Sequence, residues 1–198
     1  MTEHCLFVLK PSFLDLLKKL NCAFDFEKGS KRPVFCCLKD EKIENLYWAI
    51  PTSDLAHRTE EQIKKYNEFI SKDKSDLRSC YYHIGKTTKL ALFKISSCFP
   101  ITDEYVDHEY TSCQKVVVLR NKTLLSELER KLRRILAFES TRPNYFSQHI
   151  TDIKNALTDS NQDLSNGITR EAIELAEEGK ELHGAFSTID ELRTSLDA

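Results

Sequence analysis

The sequence predicts an α+β domain: a small, strongly bent antiparallel sheet or partly open barrel, with peripheral helices and a short helical C-terminal tail. Three observations lead there. Five short runs rich in β-branched and aromatic residues are interrupted by single helices. A long amphipathic segment, "TLLSELERKLRRILAFE", follows the last of them. At 198 residues, with 40% apolar and 30% charged content, the chain has the size of one domain plus an appendage.

The elements follow in order. "PSFLDLLKKL" (11–20) reads as a short amphipathic helix with Ser12 as N-cap. "VFCCL" (34–38) and "LYWAI" (46–50) are β-type runs on either side of the charged "KDEKIEN", so they predict a hairpin. Pro51 cannot donate to a ladder and is expected to end the second strand. Thr59 with Gln62 forms a capping-box pattern that starts a helix running to about Lys72, with Ile63, Tyr66 and Ile70 on one face. "RSCYYHIG" and "LALFKISSCFPI" predict two further strands around the turn Gly85-Lys86-Thr87-Thr88, and "KVVVL" (115–119) a fifth. The helix over 123–139 repeats Leu124, Leu128, Leu132 and Ile135 at helical spacing. Its bases Arg130, Lys131, Arg133 and Arg134 are either a solvated face or a surface for phosphates. "SQHITDIKNAL" (147–157) is one more helix.

No run reaches the roughly 18 apolar residues of a membrane-spanning helix. The start, "MTEHCLFVLKPSF", has no basic leader and no small-residue cleavage site, so no secretory signal is expected. Seven cysteines without a CxxC pair read as reduced core thiols of a cytoplasmic protein. Their spacing offers no zinc site, and neither a metal nor another cofactor is expected. Charge divides the chain. Residues 161–198 carry nine acids against three bases, a net of −6 that leaves +4 on 1–160 out of the overall −2. The expected organisation is a body (1–158), a polar linker (159–167) and an acidic helical tail (168–198).

Chemistry-bearing residues cluster at three strand ends. In "IPTSDLAHR", Thr52 and Ser53 supply hydroxyls, His57 a group that moves protons near neutral pH, and Arg58 a two-pronged phosphate grip. In "RSCYYHIGKTTK", Tyr82 offers a ring to a base, His83 a second imidazole, and Arg78, Lys86 and Lys89 positive charge. Gly85-Lys86-Thr87-Thr88 lacks the upstream glycine of a P-loop. Lys31 and Arg32 precede the first strand. No pair of carboxylates is placed for two-metal hydrolysis. Cations and hydroxyls suit a ribonuclease that makes the 2′-OH attack its neighbouring phosphorus.

Five blocks, "KRPVFCCL", "YWAIPTSDLAHRTEEQI", "RSCYYHIGKTTKLALFKISSCFPITDEYVD", "LLSELERKLRRILAFE" and "PNYFSQHITDIKNAL", together resemble the endoribonuclease toxins of type III toxin–antitoxin systems, the ToxN/AbiQ/CptN group. The resemblance implies a MazF/Kid-like fold over 1–158 and metal-independent RNA cleavage to a 2′,3′-cyclic phosphate. It also implies inhibition by a pseudoknot-type repeat RNA and a protein–RNA oligomer. It makes Ser53 catalytic, with Thr52 beside it, and maps the basic residue before the first strand to Lys31 or Arg32. A lysine follows the serine closely in the family, whereas this chain has Asp54-Leu55-Ala56. The cationic role therefore passes to Arg58, with His57 or His83 to transfer the proton.

"REAIELAEEGKELHGAFSTIDELRTSLDA" resembles the toxin-wrapping C-terminal segment of RelB/DinJ-type antitoxins, without their DNA-binding half. A RelE-like toxin and the chain's own basic body are both open as its partner, and neither DNA nor a membrane is expected. Two other readings stand beside the RNA-controlled toxin. One is a MazF-like toxin held by a protein antitoxin or by its own acidic tail, and the other is a non-catalytic RNA-binding module.

Overall fold

A computed structural model describes residues 2–24 and 32–159 of the chain. Lys31, residues 160–167 of the expected linker and the acidic tail lie outside the described residues. The chain divides into two units, and the fold is that of the first, Met1–Leu157. It is α+β. Its strands are β1 (Leu6–Leu9), β2 (Val34–Lys39), β3 (Leu46–Asp54), β4 (Tyr82–Lys86), β5 (Leu90–Lys94), β6 (Phe99–Thr102), β7 (Val106–Glu109), β8 (Thr111–Ser112) and β9 (Lys115–Val116). The helices are α1 (Pro11–Lys19), α2 (Glu60–Ile70), α3 (Lys122–Thr141) and α4 (150–159).

Seven strands form one sheet in the order β4-β5-β3-β2-β1-β7, with β6 also on β3, while β8 and β9 make a separate hairpin. All these pairings are antiparallel. The sheet does not close into a barrel, because β4 and β7 end it without pairing to each other. Period-2 alternation explains its two faces. Phe35, Trp48, Ile50 and Phe93 pack with Leu128, Leu132 and Ile135 of α3. Val34, Cys36, Ala49 and Phe99 pack instead with Phe13 and Leu17 of α1 and Ile153 of α4. Each large side chain buried this way contributes roughly 1.5–3 kcal/mol.

Several local expectations held. β2 and β3 form the predicted hairpin. Thr59 accepts from Gln62 N while the Gln62 side chain accepts from Thr59 N, so the capping box starts α2. That helix stops at Ile70 rather than Lys72. α3 extends the predicted 123–139 by one residue at its start and two at its end.

Other expectations are corrected. Ser12 does not cap α1; the N-cap is Lys10, without a side-chain bond, and Pro11 with its preset φ begins the helix. Pro51 does not end β3, which runs on to Asp54. On the edge away from β2, β3 pairs with β6 from Leu46 to Ala49 and with β5 from Thr52 to Asp54. Pro51 falls in the gap between those partners, so its missing N–H interrupts neither ladder. The run 90–101 is two strands, broken by a 3₁₀ turn at Ile95–Ser97. Of 115–119 only Lys115–Val116 is a strand, while Val118 makes one bridge to Cys5. β1 and β7 were not expected at all.

Candidate functional site

The tip of β3 is held from both sides. Thr52, Ser53 and Asp54 pair with Phe93, Leu92 and Ala91 of β5. Asp54 then caps the 3₁₀ turn Leu55–His57 by accepting from Ala56 N at 2.9 Å. Leu55 is buried. Arg58 follows, its backbone N donating to Leu55 O at 3.0 Å, and Thr59 immediately begins the capping box of α2. Arg58 is thus fixed between two caps, each the kind of local bond that short polar side chains make well.

This segment lines a cavity of about 470 Å³ that Arg32, Ser53, Asp54, His57, Arg58 and Lys89 share. Thr87 and Thr88, at the turn after β4, add hydroxyls, and Tyr110, Ser112 and Val117 close the far wall. Asp54 is the one carboxylate among these residues. Its Oδ2 lies 3.8 Å from Lys89 Nζ and 4.0 Å from His57 Nε2. Arg58 makes no ion pair among the described residues. Two buried polar atoms here have no hydrogen-bond partner, Ser53 Oγ and Arg58 Nε. An orphan of this kind costs about 1–3 kcal/mol, and a bound acceptor would recover it.

The sequence-predicted residues separate into two groups. Arg32, Thr52, Ser53, His57, Arg58 and Lys89 meet in the cavity. The Thr52 hydroxyl, however, donates to Pro33 O at 2.8 Å and ties β3 to the chain before β2. Lys86 lies in the neighbouring trough. His83, Tyr82 and Arg78 lie elsewhere. His83 is opposite Phe93, which is opposite Thr52, so it stands two strands, about 10 Å, from β3. Burial, with the Lys131 ammonium next, holds its pKa below the usual imidazole value. The Tyr82 ring packs on Tyr66 and Phe69 at 4.9 and 5.6 Å between ring centres, and burial pushes its phenol up. Arg78 is paired with Asp76 at 2.7 Å.

The bases of α3 are also engaged within the fold. Lys131, only 4% exposed, donates to Tyr82 O at 2.8 Å. Arg130 pairs with Glu127 at 2.9 Å and Arg133 with Glu41 at 2.6 Å. Arg134 donates to Lys74 O and Ser75 O. Gly85 serves packing: a Cβ there would lie 2.6 Å from Leu124 Cδ1 of α3.

Sequence reasoning missed the wall formed by Tyr110 to Val117. Its turn, Cys113-Gln114, has φ of 50° and 62°, values that hairpin turns usually give to Asn and Gly. Those residue types were the signal to look for, and they are absent.

Among the described residues, no three His, Cys, Asp or Glu side chains gather as metal ligands, and no helix is long and apolar enough to cross a membrane. Compared with known proteins, the chain matches no family model and no curated sequence.

Proposed function

We propose that this chain is a metal-independent endoribonuclease, a cytoplasmic toxin of a type III toxin–antitoxin system with a MazF/Kid-like fold, held inactive by a structured repeat RNA. The observation that carries the reading is the convergence of Arg32, Arg58, Lys89, His57 and Ser53 on one cavity. The five-block resemblance supports it independently.

In this reading, RNA places a phosphodiester against Arg58 and Arg32. His57 takes the 2′-OH proton, with Asp54 beside it to steady the resulting imidazolium. The 2′-oxygen forms a bond to phosphorus, and the arginines stabilise the charge on its non-bridging oxygens. The bond from phosphorus to the 5′-oxygen breaks, and His57 returns its proton to that leaving oxygen. Ser53 donates its hydroxyl to a non-bridging oxygen. The products are a 2′,3′-cyclic phosphate and a 5′-OH end. Lys89 holds a flanking phosphate, and Thr52 keeps the strand end in place.

The test is incubation of the purified chain with cellular RNA in EDTA, with end-group analysis of the fragments. Cyclic phosphate ends from the native chain, and a loss of roughly 10²–10³-fold in Ser53→Ala with unchanged melting temperature, are expected. Fragments ending in 3′-OH, or complete dependence on added metal, would overturn the mechanism.

A further inference from the structure

A second cavity, about 500 Å³, lies beside the first and is lined by Lys86, Cys113, Lys115, Val116, Val118 and Arg120 among others. The two share Thr87, Thr88, Ser112 and Val117 as common walls. They are therefore two lobes of one groove, divided by the Thr87–Thr88 turn. Along both lobes six cations, Arg32, Arg58, Lys86, Lys89, Lys115 and Arg120, face one carboxylate, Asp54. Lys86, Lys115 and Arg120 are exposed and form no ion pair among the described residues.

Apolar groups sit between these charges. The described large hydrophobics left exposed are Leu90 (52%), Val116 (41%), Val118 (38%) and Tyr145 (53%). Three of those four line this groove. A duplex presents phosphates and groove edges but hides its base faces, whereas a single strand offers phosphates to cations and base faces to apolar side chains.

We infer that the groove takes one single-stranded RNA segment that crosses the Thr87–Thr88 turn. The reacting phosphate lies in the Ser53 lobe. Lys86, Lys115 and Arg120 hold the phosphates of flanking nucleotides in the second lobe, and Val116 and Val118 carry their bases. This rests on the ribonuclease reading of the first lobe and adds to it a subsite built by the β8–β9 hairpin.

Cys113 supplies the reporter. Of the chain's seven cysteines it alone is exposed, and it lines the second lobe. A thiol-reactive fluorophore on Cys113 is titrated with a mixed-sequence single-stranded oligoribonucleotide, 2′-O-methylated so that it cannot be cut, and with the same sequence as a duplex. The comparison is between the native chain and the variant Lys86→Ala/Lys115→Ala/Arg120→Ala.

The native chain is expected to prefer the single strand. The triple variant should bind it about tenfold or more weakly, with a salt slope shallower by about 2, since each phosphate contact to a single strand adds about 0.7. A native slope and affinity in the triple variant, or equal binding of duplex and single strand, would overturn the subsite. The readout needs no cutting. A native chain that binds in this way but never cleaves RNA would defeat the ribonuclease reading and leave the subsite standing. A triple variant that binds and cuts like the native chain would do the reverse.

Discussion

Where β3 ends, Arg58, His57 and Lys89 line a cavity whose single carboxylate is Asp54. Two strands away, His83, Arg130 and Lys131 form an equally basic, imidazole-bearing group, but both of its cations are already engaged. Lys131 is hydrogen-bonded to Tyr82 O and Arg130 is paired with Glu127. The residue types are the same, and the geometry differs in one respect. In the first group three basic side chains line one cavity and share a single carboxylate, Asp54, with Arg58 left out of any ion pair among the described residues. In the second, Lys131 and Arg130 are consumed in joining α3 to β4 and in pairing along α3 itself. Charge marks a candidate site where the fold gathers several bases on one cavity around a single counter-charge.

That contrast can be broken most sharply with the arginines. Arg58→Ala should lower RNA cleavage by about 10²-fold or more while leaving the melting temperature in place, because its Nε has no partner to lose. Arg130→Ala should leave cleavage unchanged and cost at most about 0.5 kcal/mol, the worth of a half-exposed ion pair. Equal activity in the two variants would erase the distinction between the groups.

Lysines give a smaller, opposite pattern. Lys131→Ala removes the donor to Tyr82 O and should cost about 1–3 kcal/mol in chemical denaturation. Lys89→Ala should leave stability within about 0.5 kcal/mol, since its ion pair is exposed and 3.8 Å long, while weakening RNA binding.

The histidines give the smallest effect. Burial lowers the His83 pKa from 6.5, so below about pH 6.5 the unfolded chain binds a proton that the folded chain resists. Stability should therefore be complete above that pH and decline as pH falls through it. His83→Gln should flatten that slope, whereas His57→Gln should slow cleavage. Denaturation midpoints across pH 5 to 8 would decide it.

The parts of the molecule that were legible in sequence are those fixed by neighbours in the chain. The Thr59–Gln62 box is a bond between residues three apart, and it was read correctly. The tip 52–58 was legible for the same reason, since its hydroxyls, imidazole and guanidinium arrive within seven positions. β1 and β7 were not legible. Leu6–Leu9 is only four residues long, Val106–Glu109 is largely exposed, and each becomes a strand by pairing about a hundred positions away. Pro51 was misread because the local rule held and the topology provided a gap for it. His83, Tyr82 and Arg78 were assigned to the site by residue type, but their partners are set by α2, α3 and Asp76. The hairpin wall was hidden because Cys113 and Gln114 adopt left-handed backbone that such residues rarely take.

The change of neighbour along β3 has a consequence for how such a molecule diversifies. Residues 46–49 answer to β6 and the deep packing, whereas 52–54 answer to the short β4–β5 leaf. Substitutions in the leaf's turn alter what the cleft meets without asking the interior to repack. Selection can then redraw the lining of the cleft on one half of a strand while the other half keeps the body standing.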